Sequence, residues 1–381
     1  MISFNLKNHT LRPIGLDIGH HSIKMIQLAT NGETISVHAA EEARLDIDTN
    51  EDEQTQRSII TTAIKRMLNK GGFYGKNTIS CLPSGDLKIT SLRLTEAESQ
   101  KTEQVLKREV IQRFGLDPEK DAMDYIVAGS VRQGDEMKNE LVLFATGNEI
   151  IKNHIDMIEQ AGLRPVSIDI IPCALFRNFE RSLRRQEDRE NAVVFVDIGS
   201  SYTTIVFGRG REICFVKQIK IGAGNFDCEI AAKLGITGRE AEVLRKELQN
   251  EANQSTENID ASTRQGMVDA ISKVGGELAK EISLCLRYYS VTFRGKRIER
   301  AVFTGGGSYD KILLDIMKRQ LAIGIEIAQP LRGCDIPNEK INPDIYNDRN
   351  GLLCEWAIAV GLSLKGWHEV ERCRKELCSR A

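Results

Sequence analysis

Two segments of the chain repeat one pattern. Residues 14–28 read IGLDIGHHSIKMIQL and residues 194–208 read VFVDIGSSYTTIVFG. Each copy is an apolar run, Asp-Ile-Gly, two polar residues and a second apolar run. That is the signature of a strand, a tight turn and a returning strand, with glycine where the backbone turns sharply or meets a ligand. Two copies half a chain apart point to a duplicated unit. At 381 residues the chain is too long for one ordinary core, so two domains or a few subdomains are expected.

Between and after the copies the pattern alternates between helix and strand. Ile60, Ile64 and Leu68 recur at helical spacing before Gly71-Gly72 ends the run, and NTISCLP at 77–83 reads as a buried strand. KITSLRL at 88–94 alternates. From Thr95 a charged helix with Leu106, Val110 and Phe114 precedes DYIVAGSVR, ELVLFATG and a helix with Ile151, Ile155 and Ile158. Helix, two strands, helix makes a small α+β subdomain inserted in the first half. VSIDI at 166–170 resumes a buried strand and Pro172 opens a helix running into the charged connector RSLRRQEDRENA, read as a solvated helix end. In the second half, strands are expected at 193–208 and 212–221, then helices near 226–234 and after Thr237, the latter with Thr237 as N-cap. Residues 249–262 read as a loop, followed by a long helix with Ile271, Val274, Leu278, Ile282, Leu286 and Tyr289 on one face. AVFTGGG at 301–307 leads into a further helix, and EWAIAVGLSLKG forms the last apolar segment.

Composition narrows the partners. Lys plus Arg total 52 against 54 Asp plus Glu, a net charge of −2 without a long basic run, which disfavours nucleic acid. No stretch reaches the roughly 18–20 apolar residues that span a bilayer, and no secretory leader is expected at the N-terminus. Cys81, Cys173, Cys214, Cys228, Cys285, Cys334, Cys354, Cys373 and Cys378 form no CxxC pair and read as free thiols of a reducing compartment.

A glycine turn of this kind aligns backbone N–H groups around a concavity that binds phosphate oxygens without basic side chains. The aspartate before each turn, Asp17 and Asp197, suits a magnesium ion that keeps most of its waters. One such turn is weak evidence, because Asp and Gly populate turns for local reasons. Two in matching contexts favour a nucleotide. Thr304-Gly305-Gly306-Gly307 either lies flat against a base or ribose or is a flexible strand-to-helix loop. It is neither a Walker A loop nor a GxGxxG fingerprint.

GLDIG, VDIGSSYT and FTGGG, in this order, resemble the two phosphate motifs and the adenosine motif of the actin, DnaK chaperone and sugar kinase superfamily. With CLPSGDLKITSLRL, AGLRPVSIDIIPCAL and WAIAVGLSLKG in their order, the chain from about 12 to 366 is identified as a member of the PilM family of type IV pilus assembly proteins, relatives of the cell-division protein FtsA. The resemblance implies an actin-like (ribonuclease H-like) duplicated fold, with two lobes around a nucleotide cleft that binds ATP and Mg2+. The first lobe would span 10–190 with the small subdomain at about 95–165. The second would span 191–354 with a smaller subdomain at about 226–300, and 355–381 would return as a helix to the first lobe before a short tail. By position, Gly19, His20, His21 and Ser22 fall on the first phosphate turn and Gly199, Ser200, Ser201 and Thr203 on the second. Gly222 resembles a phosphate-side glycine, Glu242 and Arg245 the helix pair beside adenosine, and Gly305, Gly306 and Gly307 lie over the base, with Asp17 and Asp197 holding the metal through water.

The same resemblance implies a partner. In PilM proteins the small subdomain helps form a groove for the cytoplasmic N-terminal peptide of the membrane protein PilN, which would hold the chain at the inner membrane from the cytoplasm. A pilus motor ATPase or a second copy are further expected partners. Three departures bear on chemistry. His20 and His21 replace small hydroxyl residues of the first turn, and histidine donors there would give binding a pH dependence. Ala223 replaces a common second glycine. Ile171-Pro172 stands where superfamily ATPases commonly have Glu-Pro, so no catalytic residue is assigned; the candidate Asp169, two residues earlier, is expected on the same strand face as Ile171 but displaced along it. ATP binding with slow or absent hydrolysis is therefore expected. The alternatives are an FtsA-like division filament, disfavoured by a mixed-charge tail GWHEVERCRKELCSRA with little apolar face, and a small-molecule kinase, for which no substrate motif is evident.

Overall fold

The computed structural model of the chain describes residues 10–32, 34–45, 52–181, 183, 191–251, 259–293, 298–337 and 351–366. The chain divides into two compact units. One is built from Met1–Pro83, Glu149–Phe179 and Gln329–Ala381, the other from Ser84–Asn148 and Glu180–Ala328.

The first unit is organised by a six-stranded sheet. Its strands are β1 (Thr10–Ile18), β2 (Ser22–Asn31), β3 (Thr34–Arg44), β4 (Asn77–Cys81), β8 (Arg164–Asp169) and the short β14 (Cys334–Asp335), in the order β14-β3-β2-β1-β4-β8. The period-two alternation of a strand sends neighbouring residues to opposite faces. Ile14, Leu16, Ile23 and Met25 pack against α1 (Glu53–Lys70) and against Ile158 of α4 (Asn148–Gln160). Ile26, Leu28, Ile35 and Val37 pack instead against Trp356, Ala359 and Val360, where a 3-10 turn runs into α10 (Ala357–Ser363). Helix α1 starts at Asp52, whose side chain accepts from the Thr55 amide, and stops at Gly71 as the sequence indicates. Strand β3, with small Ala and polar residues between its apolar ones, has no counterpart in the sequence reading.

The second unit contains a five-stranded sheet of β9 (Ala192–Ile198), β10 (Thr203–Arg209), β11 (Glu212–Ile219), β12 (Ile298–Thr304) and β13 (Gly324–Ile327), ordered β11-β10-β9-β12-β13. Three antiparallel strands followed by two parallel ones repeat the order β3-β2-β1-β4-β8 of the first unit, so the sequence echo is a duplication of architecture. The register agrees as well. Asp17 faces Lys24 across β1 and β2, and Asp197 faces Thr204 across β9 and β10.

Helices α6 (Ala223–Leu234), α7 (Gly238–Glu251), α8 (Ala261–Thr292) and α9 (Lys311–Gln320) complete the second lobe. Thr237 caps α7 as expected: its hydroxyl accepts from the Glu240 amide while the Glu240 carboxylate accepts from the Thr237 amide at 2.8 Å. The same unit holds a three-stranded sheet, order β5-β7-β6, made of β5 (Lys88–Leu94), β6 (Ala122–Gln133) and β7 (Glu136–Thr146), with α2 (Glu96–Ser99) and α3 (Thr102–Phe114). Leu106 and Val110 of α3 pack on Leu92, Leu143 and Ala145. The helix–strand–strand–helix order read from sequence is not how this sheet assembles: KITSLRL is its third strand, and α4 buries Ile158 in the first unit. Local periodicity identifies an amphipathic helix but not the sheet that receives it. The remaining helix of the first unit, α5 (Ile171–Glu180), follows β8 directly.

None of the described cysteines forms a disulfide. Cys373, Cys378, most of the charged connector and nearly all of the mixed-charge tail lie outside the described residues.

One buried titratable group in the first unit has a measurable consequence. His154 of α4 is buried, with its Nε2 3.1 Å from the Ser80 hydroxyl, and burial pushes its pKa down to about 4. In the unfolded chain histidine titrates near 6.5, so between about pH 6.5 and 4 the unfolded state binds more protons and stability falls as pH drops. The full shift corresponds to about 3 kcal/mol. Urea unfolding from pH 7.5 downward should show that slope, and His154→Gln should remove most of it; equal slopes in the two proteins would refute a neutral buried imidazole.

Candidate functional site

The Asp-Ile-Gly turns carry the same backbone hydrogen bond. The Gly19 amide donates to the Ser22 carbonyl at 3.0 Å, and the Gly199 amide donates to the Tyr202 carbonyl at 3.0 Å. Each hairpin is therefore closed by its glycine, and the two residues that follow sit at the tip.

In the first unit the tip is His20-His21. Both residues are exposed and their rings meet edge to face, with centroids 4.6 Å apart. Ser22 accepts a hydrogen bond from Lys24 Nζ at 2.6 Å, and the same Nζ is 3.7 Å from Glu42. Lys24 is buried, opposite Asp17 in the β1–β2 register. Burial raises the Asp17 pKa above the usual carboxylate value; Lys24 opposes the shift and Glu42 adds to it. Lys24 was not singled out in the sequence, though a lysine inside the apolar run SIKMIQLA was the available signal. It places a cation next to the first turn, between Asp17 and Glu42.

In the second unit several predicted residues come together. The α6 N-terminus is fastened to the turn: the Ala223 amide donates to the Gly199 carbonyl at 2.9 Å and the Gly224 amide to the Ser200 carbonyl at 2.8 Å. Gly222 is held by its own amide donating to Asn225 Oδ1 at 2.9 Å. A Cβ on Gly222 would lie 2.4 Å from the Ser200 carbonyl oxygen and 2.7 Å from the Ser201 amide nitrogen, so only glycine lets helix and turn approach this closely. The amides of Ser200 and Ser201 donate to no acceptor among the described residues. They are the donors this cradle offers an anion.

Behind the turn, Gly305 adopts φ +81° and packs against Asp197, with its Cβ position 2.5 Å from Asp197 Oδ1. Gly307 packs on Ile198, and only Gly306 faces open space. Of the three glycines, two serve close packing on the strand end. Thr203 is fully buried and its hydroxyl donates to the Ile221 carbonyl at 2.7 Å, which engages it structurally.

Glu242 and Arg245 stand on α7, one turn apart. Arg245 is buried and forms a two-pronged pair with Asp227 of α6, at 2.6 and 3.1 Å. Burial works against its charge, but the Asp227 bonds outweigh this and hold its pKa high. Glu242 pairs with Lys246. Arg245 thus holds α7 on α6, and Asp310, whose pKa burial raises, lies in the same field.

Asp169 has a different setting from the one expected. Its strand ends at Asp169 and Ile171 already belongs to α5, so the two side chains do not share a strand face. The carboxylate lies 2.9 Å from Arg177 and 3.5 Å from Lys365, while Arg177 also donates to the Gly361 carbonyl at 2.9 Å. This network ties β8 and α5 to the C-terminal helix. The carboxylate is thus engaged in holding the fold together. Among the described residues, no group of three or more His, Cys, Asp or Glu side chains is arranged to cage a metal. Asp17 and Asp197 hold matching positions in their own units, each in the first strand of its hairpin, two residues before the turn glycine.

The model of the type IV pilus assembly protein PilM family matches residues 15–367. The chain belongs to the PilM family. Among solved structures, a chain of the "PilM-PilN type IV pilus biogenesis complex" shares 18% identity at a TM-score of 0.74, over 93% of this chain and 98% of that one. The ethanolamine utilization protein EutJ from Carboxydothermus hydrogenoformans follows with 14% identity and a TM-score of 0.54, over 93% of this chain and 89% of that one. Comparison with curated proteins gave no match. The PilM fold is thus shared along nearly the whole length at low identity, and the fold is actin-like α/β. No described helix is long and apolar enough to cross a membrane.

Proposed function

We propose that this PilM-family protein binds ATP with Mg2+ and serves as a cytoplasmic scaffold of type IV pilus assembly, or of a related secretion or competence machine. It would be held at the inner membrane by docking the N-terminal peptide of a PilN-like protein. The single observation that carries the nucleotide reading is the second-unit cradle. There, the free amides of Ser200 and Ser201, the tight Gly222 junction and Asp197 stand together. When bound, Mg2+ would neutralise phosphate charge. The protein's part is to present backbone donors, with Lys24 and Ser22 behind the repeated turn of the first unit and Asp17 and Asp197 as water-mediated ligands. His20 and His21 at that turn would donate more strongly when protonated. The ion-paired state of Asp169 favours a nucleotide that is held rather than turned over. The partner reading is supported by membership of the family and by likeness to a chain of the PilM–PilN complex.

Calorimetry with ATP and Mg2+ tests this. Gly222→Val, which pushes a side chain into the Ser200 carbonyl, is expected to weaken binding about 100-fold or more, an effect on the order of 3 kcal/mol. Asp197→Ala is expected to lose the Mg2+ enhancement while keeping residual metal-free binding. Wild-type protein that ignores adenine nucleotides would end the nucleotide reading. Fluorescence anisotropy with a PilN N-terminal peptide tests the partner reading separately, and no binding with ATP present would count against it. Phosphate transfer from ATP to a small acceptor would favour a kinase instead.

A further inference from the structure

The inserted sheet leaves one long edge open. β5 pairs with β7 on one side, and among the described residues no other backbone group bonds to Lys88–Leu94. Beside this edge run two cavities of ≈ 450 and ≈ 530 Å³ that share Arg93, Gln133 and Tyr288 and so form one groove. At the β5 end its wall is α3, with Val105 and Arg108. At the other end its walls are α8, with Leu284, Arg287 and Val291, and the β6–β7 hairpin, with Arg132.

The floor is closed and neutral. Arg93 Nε donates to Glu140 at 2.7 Å and Arg93 Nη2 to the Thr292 hydroxyl at 2.9 Å, while the Tyr288 hydroxyl donates to the other Glu140 oxygen at 2.7 Å. The remaining carboxylates are also engaged: Glu98 closes a capping box with Thr95, and Glu109 is 2.6 Å from Arg113. Glu98 and Glu109 balance Arg108 and Arg113 at the β5 end, and the walls of α8 and the β6–β7 hairpin are left positive. Arg287 has no ion pair among the described residues and is exposed. Arg132 donates to the Gly134 carbonyl at 3.2 Å and its ion pair with Asp135 is long, at 3.8 Å, whereas Arg108 is balanced by Glu109, at 3.9 Å, and by the nearby Glu98. Leu284 and Val291 are 46% and 67% exposed on the same face of α8 as Arg287, being three residues before it and four after it.

An unpaired strand edge, uncompensated arginines and exposed aliphatic side chains together specify a ligand. We propose that this groove binds an extended acidic segment of a partner protein, which adds a strand to the β5 edge. Alternate side chains of an added strand point the same way. Its carboxylates would meet Arg287 and Arg132, and its apolar side chains would cover Leu284 and Val291. The inference goes beyond nucleotide binding and the membrane-partner peptide and rests on neither.

A phage library of random dodecapeptides, panned on the full-length protein, is the direct test. The expected outcome is enrichment of sequences that alternate Asp or Glu with Leu, Ile or Val. A labelled selected peptide should bind in a salt-dependent manner and lose about tenfold or more in affinity on Arg287→Glu, with Arg287→Lys retaining most of it. Leu284→Asp should weaken it independently. Both residues are exposed, so the thermal unfolding midpoint should stay unchanged and loss of binding would not reflect loss of fold. Enrichment of basic or purely aromatic peptides, no enrichment, or binding indifferent to Arg287→Glu would overturn the proposal. So would sedimentation showing that the wild type self-associates and that Arg287→Glu abolishes this, because the groove would then seat a second copy.

Discussion

Gly361→Val is expected to destabilise the first unit by about 4 kcal/mol or to prevent its folding. Gly361 lies in α10, and a Cβ there would be 1.8 Å from the carbonyl oxygen of Ala174 and 2.6 Å from its carbon. Both obstacles are backbone atoms of α5, so no rotamer change relieves them. The helix cannot back away either. On its other side Gly15 of β1 brings a second backbone contact, with its own Cβ position 2.1 Å from the Ala359 carbonyl oxygen. Moving α10 outward would also pull Gly361 from Arg177, which donates to its carbonyl at 2.9 Å, and would uncover the fully buried Trp356. Trp356 makes indole fluorescence a direct reporter in urea unfolding. Gly361→Ala should already lose a large part of the stability; an alanine variant within about 0.5 kcal/mol of wild type would show that the contact is not rigid.

Asp227→Ala is expected to cost about 4 kcal/mol with no nucleotide present. Asp227 and Arg245 are both buried, and the carboxylate takes both prongs of the guanidinium. Removing the acid strands a charge that cannot reach water, which costs more than the pair itself contributes. The double replacement Asp227→Leu with Arg245→Met should recover much of the loss, because neither buried charge remains. Since Gly222 caps the start of α6, a loosened α6 should also weaken ATP binding. The unfolding measurement on the nucleotide-free protein separates the two roles: an arginine that served only the ligand would leave the apo stability of Asp227→Ala unchanged.

Much of the architecture was legible because it rests on local rules. Apolar runs marked the strands on both sides of each Asp-Ile-Gly turn, helical spacing with Gly71 marked α1, the Thr237 cap marked α7, and the repeated motif announced the matching sheets. Residues near one another in sequence around the turns, such as Gly199, Ser200 and Ser201, could be named from the motif alone. Roles that depend on distant partners could not. The hydrogen bond from Thr203 to the Ile221 carbonyl and the pairing of Arg245 with Asp227 across the interhelical contact could not be read from the motifs. The assignment of α4 and KITSLRL to their sheets failed for the same reason, because an amphipathic stripe states that a face is buried without stating against what.

By itself, then, the sequence determined the duplication, the two turns and the family, since covalent order and side-chain periodicity suffice for these. Only the tertiary structure decided which polar groups remain available: Asp169 is held by Arg177 and Lys365, while Arg287 keeps an uncompensated charge beside an open strand edge. Availability is set by what burial and long-range pairing have already claimed, and those contacts join residues that the linear chain keeps far apart.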